Sequence, residues 1–199
     1  MKNLSGLLIS ISLFSIAVQG QEHKPELLKE PAGWEFEKFT LPPQFAPSIP
    51  YKGVEELRFA PGMFKKDTRT YFTYAFVAEL ENVTAVSRAD LRSYLLKYYK
   101  GLCAATAKDR KLDIDTSQIT VSVEKKMGAP ANETIYDAVL NIFGIFADGA
   151  VVNLNMEIKV MVNAAAKKTY ILFITSPREK KDPVWKDLHA VQKSFVIPH

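Results

Sequence analysis

Cysteine is nearly absent from this 199-residue sequence, which contains only Cys103. A single cysteine excludes the internal disulfides with which small exported domains usually compensate for a small core. About 180 residues are enough for one hydrophobic core without such cross-links. Because Cys103 falls among apolar residues at helical spacing, we interpret it as a buried structural thiol and not as a nucleophile.

Histidine is also scarce, and His23, His189 and His199 are far apart along the chain. This spacing excludes a close-spaced metal site of the His-x-x-x-His kind. No stretch of the sequence carries a specific catalytic motif either. We therefore predict no catalytic residues, no metal and no other cofactor from sequence motifs.

Long apolar runs are missing after the first twenty residues, so the sequence predicts no transmembrane segment. Residues 1–20 begin with Lys2 and continue with an apolar core from Leu7 to Val18. They end with small residues, Val18 and Gly20, at the positions that a signal peptidase recognises. This is the pattern of a secretory signal peptide, and it predicts a soluble periplasmic or secreted protein.

Positive charge is only weakly in excess. The net charge of +4 falls to +3 when Lys2 is removed with the signal peptide, which holds no acidic residue. Nucleic-acid-binding domains concentrate positive charge on one face or helix, whereas the lysines here come in scattered pairs. We therefore predict no nucleic-acid partner. Asn82 and Asn132 each begin a glycosylation sequon, which matters only in a eukaryotic secretory pathway.

Apolar patterns of period two predict strands, and patterns of period 3.6 predict helices. In chain order they predict strands over 34–41, 53–60 and 69–80, a helix over 88–108, strands over 118–125, 134–143, 151–162 and 169–175, and a helix over 182–195. Ser87 with Asp90 resembles a capping box at the start of the first helix. Asp182 and Pro183 are typical of the start of the second.

The connections between the later strands are too short for parallel crossovers. The sequence therefore predicts the α+β class, with a single mainly antiparallel sheet of six to seven strands. One long central helix and one C-terminal helix are expected to pack on this sheet. Residues 21–33 are predicted to form a flexible arm, and residues 34–199 a single domain.

The segment from Leu41 to Gly53, LPPQFAPSIPYKG, contains four prolines and few small polar residues. Flexible linkers are rich in glycine and serine, whereas proline lowers the entropy lost on ordering. We predict an ordered strap anchored by Phe45, Ile49 and Tyr51. The strap is expected to cover the second face of the central strands, where we place Tyr71, Val77, Ile171 and Phe173.

The end of the chain, from the strand TYILFITSPR through a polar link to DPVWKDLHAVQKSF, resembles domains of the Mog1/PsbP-like group. The resemblance covers about the last 65 residues and includes no chemical motif. It implies an α/β/α sandwich and a non-catalytic accessory or binding domain.

The turn FADGA predicts a candidate ligand-binding surface. A three-residue loop over 147–149, with Gly149 in the left-handed conformation, would pair Phe146 with Ala150. This register places six polar side chains on one sheet face beside Ile171 and Phe173, with Asn141 opposite Asn155 and Asp137 opposite Lys159. The six are Asp137, Asn141, Asn153, Asn155, Glu157 and Lys159.

Two classes of function remain open. The first is an exported non-catalytic binding or accessory domain whose partner is a small molecule, a glycan or an envelope protein. The second is a small hydrolase or lipid-handling enzyme whose site is assembled from scattered residues such as His189, Asp137 and Glu157. The sequence predicts neither the ligand nor the oligomeric state.

Overall fold

The computed structural model of the chain describes residues 27–29, 31, 33–128 and 133–198. The predicted signal peptide lies outside the described residues, as do most of the predicted arm, His23, Asn132 and His199. Asn82, in the other sequon, is exposed in a turn after the third strand.

Seven strands and two helices follow one another along the described chain. They are β1 (Glu35–Leu41), β2 (Gly53–Phe59), β3 (Tyr74–Glu81), α1 (Arg88–Arg110), β4 (Thr120–Lys125), β5 (Glu133–Phe143), β6 (Val151–Asn163), β7 (Lys168–Ser176) and α2 (Val184–Ser194). A short 3-10 turn, Thr116–Gln118, precedes β4. This order agrees with the sequence prediction, including the capping box in which Asp90 N donates to Ser87 Oγ over 3.1 Å.

The start of β3 differs from the prediction of a strand from residue 69. Residues 61–72 form consecutive turns, and Phe72 has a φ of 52°, which an extended strand does not allow. The left-handed backbone directs Phe72 into the core, where it is fully buried. The apolar pattern of this segment therefore reflects burial in a turn and not a longer strand.

The strands form one antiparallel sheet in the order β1-β2-β3-β7-β6-β5-β4. With its one long helix and one C-terminal helix, this arrangement confirms the predicted α+β class. Alternate residues of β3 and β7 point to opposite faces of the sheet. Phe76 and Phe173 pack with α1 on what we call the first face, whereas Val77 and Leu172 pack with α2 on the second face.

The strap from Leu41 to Gly53 lies against α1 and not on the second face. Ala46 and Ile49 are buried, and the Phe45 ring meets the Tyr98 ring edge-on at 5.0 Å. Lys97 Nζ also donates to Ser48 O over 2.9 Å. The prediction of an ordered strap is right, and Tyr71, Ile171 and Phe173 lie on the same face as the strap, as predicted. The prediction is wrong in that α1 covers this same face and that Val77 lies on the opposite one.

Over β3 and β7 the second face is covered by α2, and beside β2 it is covered by residues 27–29. Leu27 and Leu28 are buried there, and both of their backbone N–H groups donate to the Glu56 carboxylate. The Arg58 guanidinium in turn donates to the carbonyl oxygens of Leu28 and Lys29. The sequence predicts a flexible arm over 21–33, whereas this part of it is held by two buried charged side chains of β2.

Candidate functional site

The six predicted polar residues share the second face of β5 and β6, as predicted from the sequence. Asn141 lies opposite Asn153, and Asp137 lies opposite Glu157. Helix α2 covers β7 and β3, so this part of the second face has no helix over it. We define the open face as Asp137, Val139 and Asn141 of β5 with Asn153, Asn155, Glu157 and Lys159 of β6.

The predicted register between β5 and β6 is wrong by two residues. Gly144 N donates to Ala150 O over 2.7 Å, so five residues, 145–149, form the loop instead of three. Phe146 leaves the strand because its ring packs in the core, 4.9 Å from the Phe72 ring. Gly149 has the predicted left-handed conformation, with a φ of 74°. A shift of two residues preserves the faces, which is why all six side chains still lie together.

The neighbours of the open face also differ from the prediction. Ile171 and Phe173 belong to the first face, and the residues of β7 opposite Lys159 and Glu157 are Leu172 and Ile174. Both of these apolar side chains are buried under α2. The open face therefore borders a covered hydrophobic cluster and not an exposed one.

One end of the open face is a row of side-chain amides. Asn141 Nδ2 donates to Asn153 Oδ1 over 2.9 Å, and Asn155 Nδ2 donates to Arg178 O over 3.1 Å. Three amide groups of this row have no hydrogen-bond partner among the described residues: Asn141 Oδ1, Asn153 Nδ2 and Asn155 Oδ1. Val139, opposite Asn155, is 47% exposed and adds an apolar contact. This end can therefore exchange hydrogen bonds with an uncharged polar ligand.

The other end of the open face is a set of compensated charges next to α2. Glu157 accepts from His189 Nε2 at 3.0 Å and lies 3.2 Å from Lys180 Nζ. Lys180 also pairs with Asp137, and Lys159 Nζ lies 2.7 Å from Glu133. The acidic and basic groups neutralise one another here, so net charge does not favour an ionic ligand.

The structure brings together His189, Asp137 and Glu157, the residues predicted to form the site if the protein is an enzyme assembled from scattered residues. A histidine oriented by a carboxylate is two thirds of a nucleophilic triad. Among the described residues, however, no hydroxyl or thiol hydrogen-bonds His189. Cys103 is buried beneath the first face, and burial raises the pKa of its thiol to about 11. It is therefore a poor nucleophile at neutral pH.

Sequence reasoning missed a buried acid, Glu55, on the first face. Its carboxylate accepts hydrogen bonds from Tyr94 OH and Tyr98 OH, each over 2.7 Å. Burial raises the pKa of Glu55 to about 7, although both tyrosine bonds oppose the rise. The sequence signal is its position two residues before Leu57, in a strand whose first face is otherwise apolar.

Within the described part of the chain, no three His, Cys, Asp or Glu side chains are arranged to hold a metal ion. The same residues include no helix that is both long and apolar enough to cross a membrane. Comparisons with protein families, with curated proteins and with solved structures find no match to this chain.

Proposed function

We propose that the protein is an exported, non-catalytic binding domain that recognises an uncharged polar ligand on its open face. The observation that carries this proposal is the row formed by Asn141, Asn153 and Asn155, whose amides keep free hydrogen-bonding groups around exposed Val139. Amide side chains recognise hydroxyl groups and peptide groups alike, because they both donate and accept. A glycan or an extended segment of an envelope protein has this chemistry.

The resemblance of the last 65 residues to the Mog1/PsbP-like group supports a binding or accessory role. The charged end of the open face supports it as well, since the Lys180 and His189 contacts hold Glu157 in place beside the amide row. These contacts fix side-chain positions and so lower the entropy that would be lost when a ligand binds.

Replacing Asn141 and Asn155 together by alanine is expected to weaken ligand binding at least tenfold, because each change removes a free amide acceptor from the row. Binding can be measured on arrays of neutral glycans and of uncharged peptides, followed by titration of each hit. Gln192→Ala, which removes an amide from α2 outside the open face, is the matched control and should bind like the parent. Equal affinity of parent and double variant, or no hit on either array, would contradict the proposal.

Export is part of the proposal and has its own test. Full-length chain expressed in a bacterium with a general secretion pathway is expected to appear outside the cytoplasm with Gln21 as its first residue. Placing arginine at Leu8 and Leu13 interrupts the apolar core and should leave the full-length chain inside the cell. Intact mass and fractionation measure both results, and an uncleaved parent chain in the cytoplasm would refute export.

A small hydrolase or lipid-handling enzyme is the second candidate, favoured by the 3.0 Å contact between His189 and Glu157. Because no hydroxyl or thiol of the described residues hydrogen-bonds His189, this enzyme would need water or the substrate itself to supply the nucleophile. Ester hydrolysis that is present in the parent and lost in His189→Ala would favour this candidate over the binding domain.

A further inference from the structure

The outer strand β4 leaves backbone groups unpaired along one edge of the sheet. Lys126 N donates to Ile135 O over 2.8 Å, which fixes the phase of the β4–β5 ladder. In an antiparallel ladder the residues alternate, so Val121, Val123 and Lys125 direct their N–H and C=O groups away from β5. Among the described residues, only Val121 O has a partner on that side, the Arg92 side chain.

A groove runs beside this edge, between β4 and the first turns of α1. It has a volume of about 320 Å³. Its walls are Arg88, Ala89 and Arg92 on the helix and residues 121–124 on the strand. Arg88 Nη1 lies 3.2 Å from Glu124 Oε2, and Arg92 Nε lies 3.1 Å from Val121 O. The helix and the strand therefore run alongside each other in opposite directions, with an extended space between them.

The groove is suited to a chain segment in extended conformation. An added strand would hydrogen-bond to the free groups of Val123 and Lys125, as in other cases where a peptide extends a sheet edge. Its alternate side chains on the first face would then point toward the helix. The Arg88–Glu124 pair that crosses the edge is largely exposed on both sides, and exposed pairs of this kind are weak enough for an incoming segment to displace.

The charges and the spacing of the two arginines in the groove indicate which side chains that segment should carry. Arg88 and Arg92 are one helical turn apart, which places them about 6 Å from each other along the axis. Residues i and i+2 of a strand are separated by about 6.6 Å. Two acidic side chains at i and i+2 of an added strand thus match the two guanidinium groups, which bind carboxylates through paired hydrogen bonds.

We propose that the β4 edge and its groove form a second binding site, which takes an extended peptide with acidic residues at alternate positions. The site is distinct from the open face and does not depend on the function proposed for it. The partner is thus a flexible acidic segment of another protein, bound by strand addition.

A fluorescent ten-residue peptide that alternates glutamate with threonine tests this proposal by fluorescence anisotropy. We expect saturable binding to the full chain that weakens as salt is added. Replacing Arg88 and Arg92 by alanine should weaken binding at least tenfold. Lys108→Ala removes a charge from an exposed position at the other end of α1 and should leave binding within twofold. An equal loss of peptide affinity in the double arginine variant and in Lys108→Ala would indicate general charge attraction and overturn the proposal.

A second pair of variants tests strand addition itself. Lys125→Pro removes an outward N–H without removing a core side chain, and proline is tolerated at such edge positions. We expect it to bind the peptide at least fivefold more weakly than Lys125→Thr, which retains the N–H and loses the same charge. Equal binding by these two variants would overturn the proposal. Self-association that Lys125→Pro abolishes would also overturn it, because a second copy of the chain would then occupy the edge. Circular dichroism confirms that each variant is folded.

Discussion

Replacing Glu55 by glutamine is expected to raise the free energy of unfolding at pH 8.5 by about 3 kcal/mol. At pH 4.5 and below, the same substitution should change the stability little. The reason is that the carboxyl group, fully buried against Tyr94 and Tyr98, ionises in the folded protein only near pH 7. Glutamine has nearly the same shape, but its amide does not ionise in this pH range.

The direction of this effect follows from the two pKa values of Glu55. Burial, with a smaller contribution from the charge of Glu37, raises the pKa in the folded state from its ordinary value of 4.5 to about 7. The unfolded chain therefore releases this proton at lower pH than the folded protein does. The stability that the neutral acid supplies is complete below pH 4.5, falls between pH 4.5 and 7, and is absent above that range.

Urea unfolding of both proteins at several pH values between 4.5 and 8.5 measures the difference. Glu124→Gln is the matched control, because it makes the same chemical change at an exposed carboxylate. A Glu55→Gln effect that is independent of pH would show that the carboxyl group does not change its ionisation in this range. Glu37 also has a raised pKa, so part of the pH dependence should persist in the variant.

Gly101→Ala is expected to destabilise the protein by about 1–3 kcal/mol, as is typical of overpacking. The sign is informative, because alanine in a helix normally stabilises by about 1 kcal/mol relative to glycine. A Cβ at this position would lie only 2.0 Å from the carbonyl oxygen of Phe45, which is part of the strap backbone. The strap must therefore move away from α1 to accommodate one methyl group.

Limited proteolysis distinguishes this displacement from a general loss of stability. In Gly101→Ala, cleavage between Phe45 and Tyr51 should become faster at protease doses that leave the parent intact. Ala104→Gly is the matched control, since residue 104 is exposed on the same helix. It should lower stability by about 1 kcal/mol without opening the strap. A strap that is equally resistant in Gly101→Ala and in the parent would contradict the proposed contact.

The sequence predicts the elements of this fold well because their apolar periods are long and regular. It does not predict which apolar residues of β3 and β7 face which helix. Ile171 and Leu172 are both buried and apolar, so alternation gives no orientation for a strand that is covered on both sides. The errors in the strap and in the neighbours of the open face have this common cause.

Long-range packing explains the other differences. The loop between β5 and β6 has five residues because Phe146 fills the core, and no local turn rule contains that information. Leu27 and Leu28 are held through their backbone by Glu56 and Arg58, which are far away in sequence. The open face could nevertheless be predicted, since a register error of two residues leaves every side chain on its own side.

The order of the strands has a consequence for how the chain folds. Strands β1–β3 form one meander and β4–β7 form another, and the two meet only where β3 pairs with β7. This seam pairs residues that are far apart in sequence, such as Tyr74 and Thr175, and it contains the stacked rings of Phe76 and Phe173. Neither meander can complete the sheet alone, and long-range pairing of this kind is slow. The sheet can therefore be completed only after β7 has been synthesised, and until then the β3 edge of the first meander has no strand to pair with.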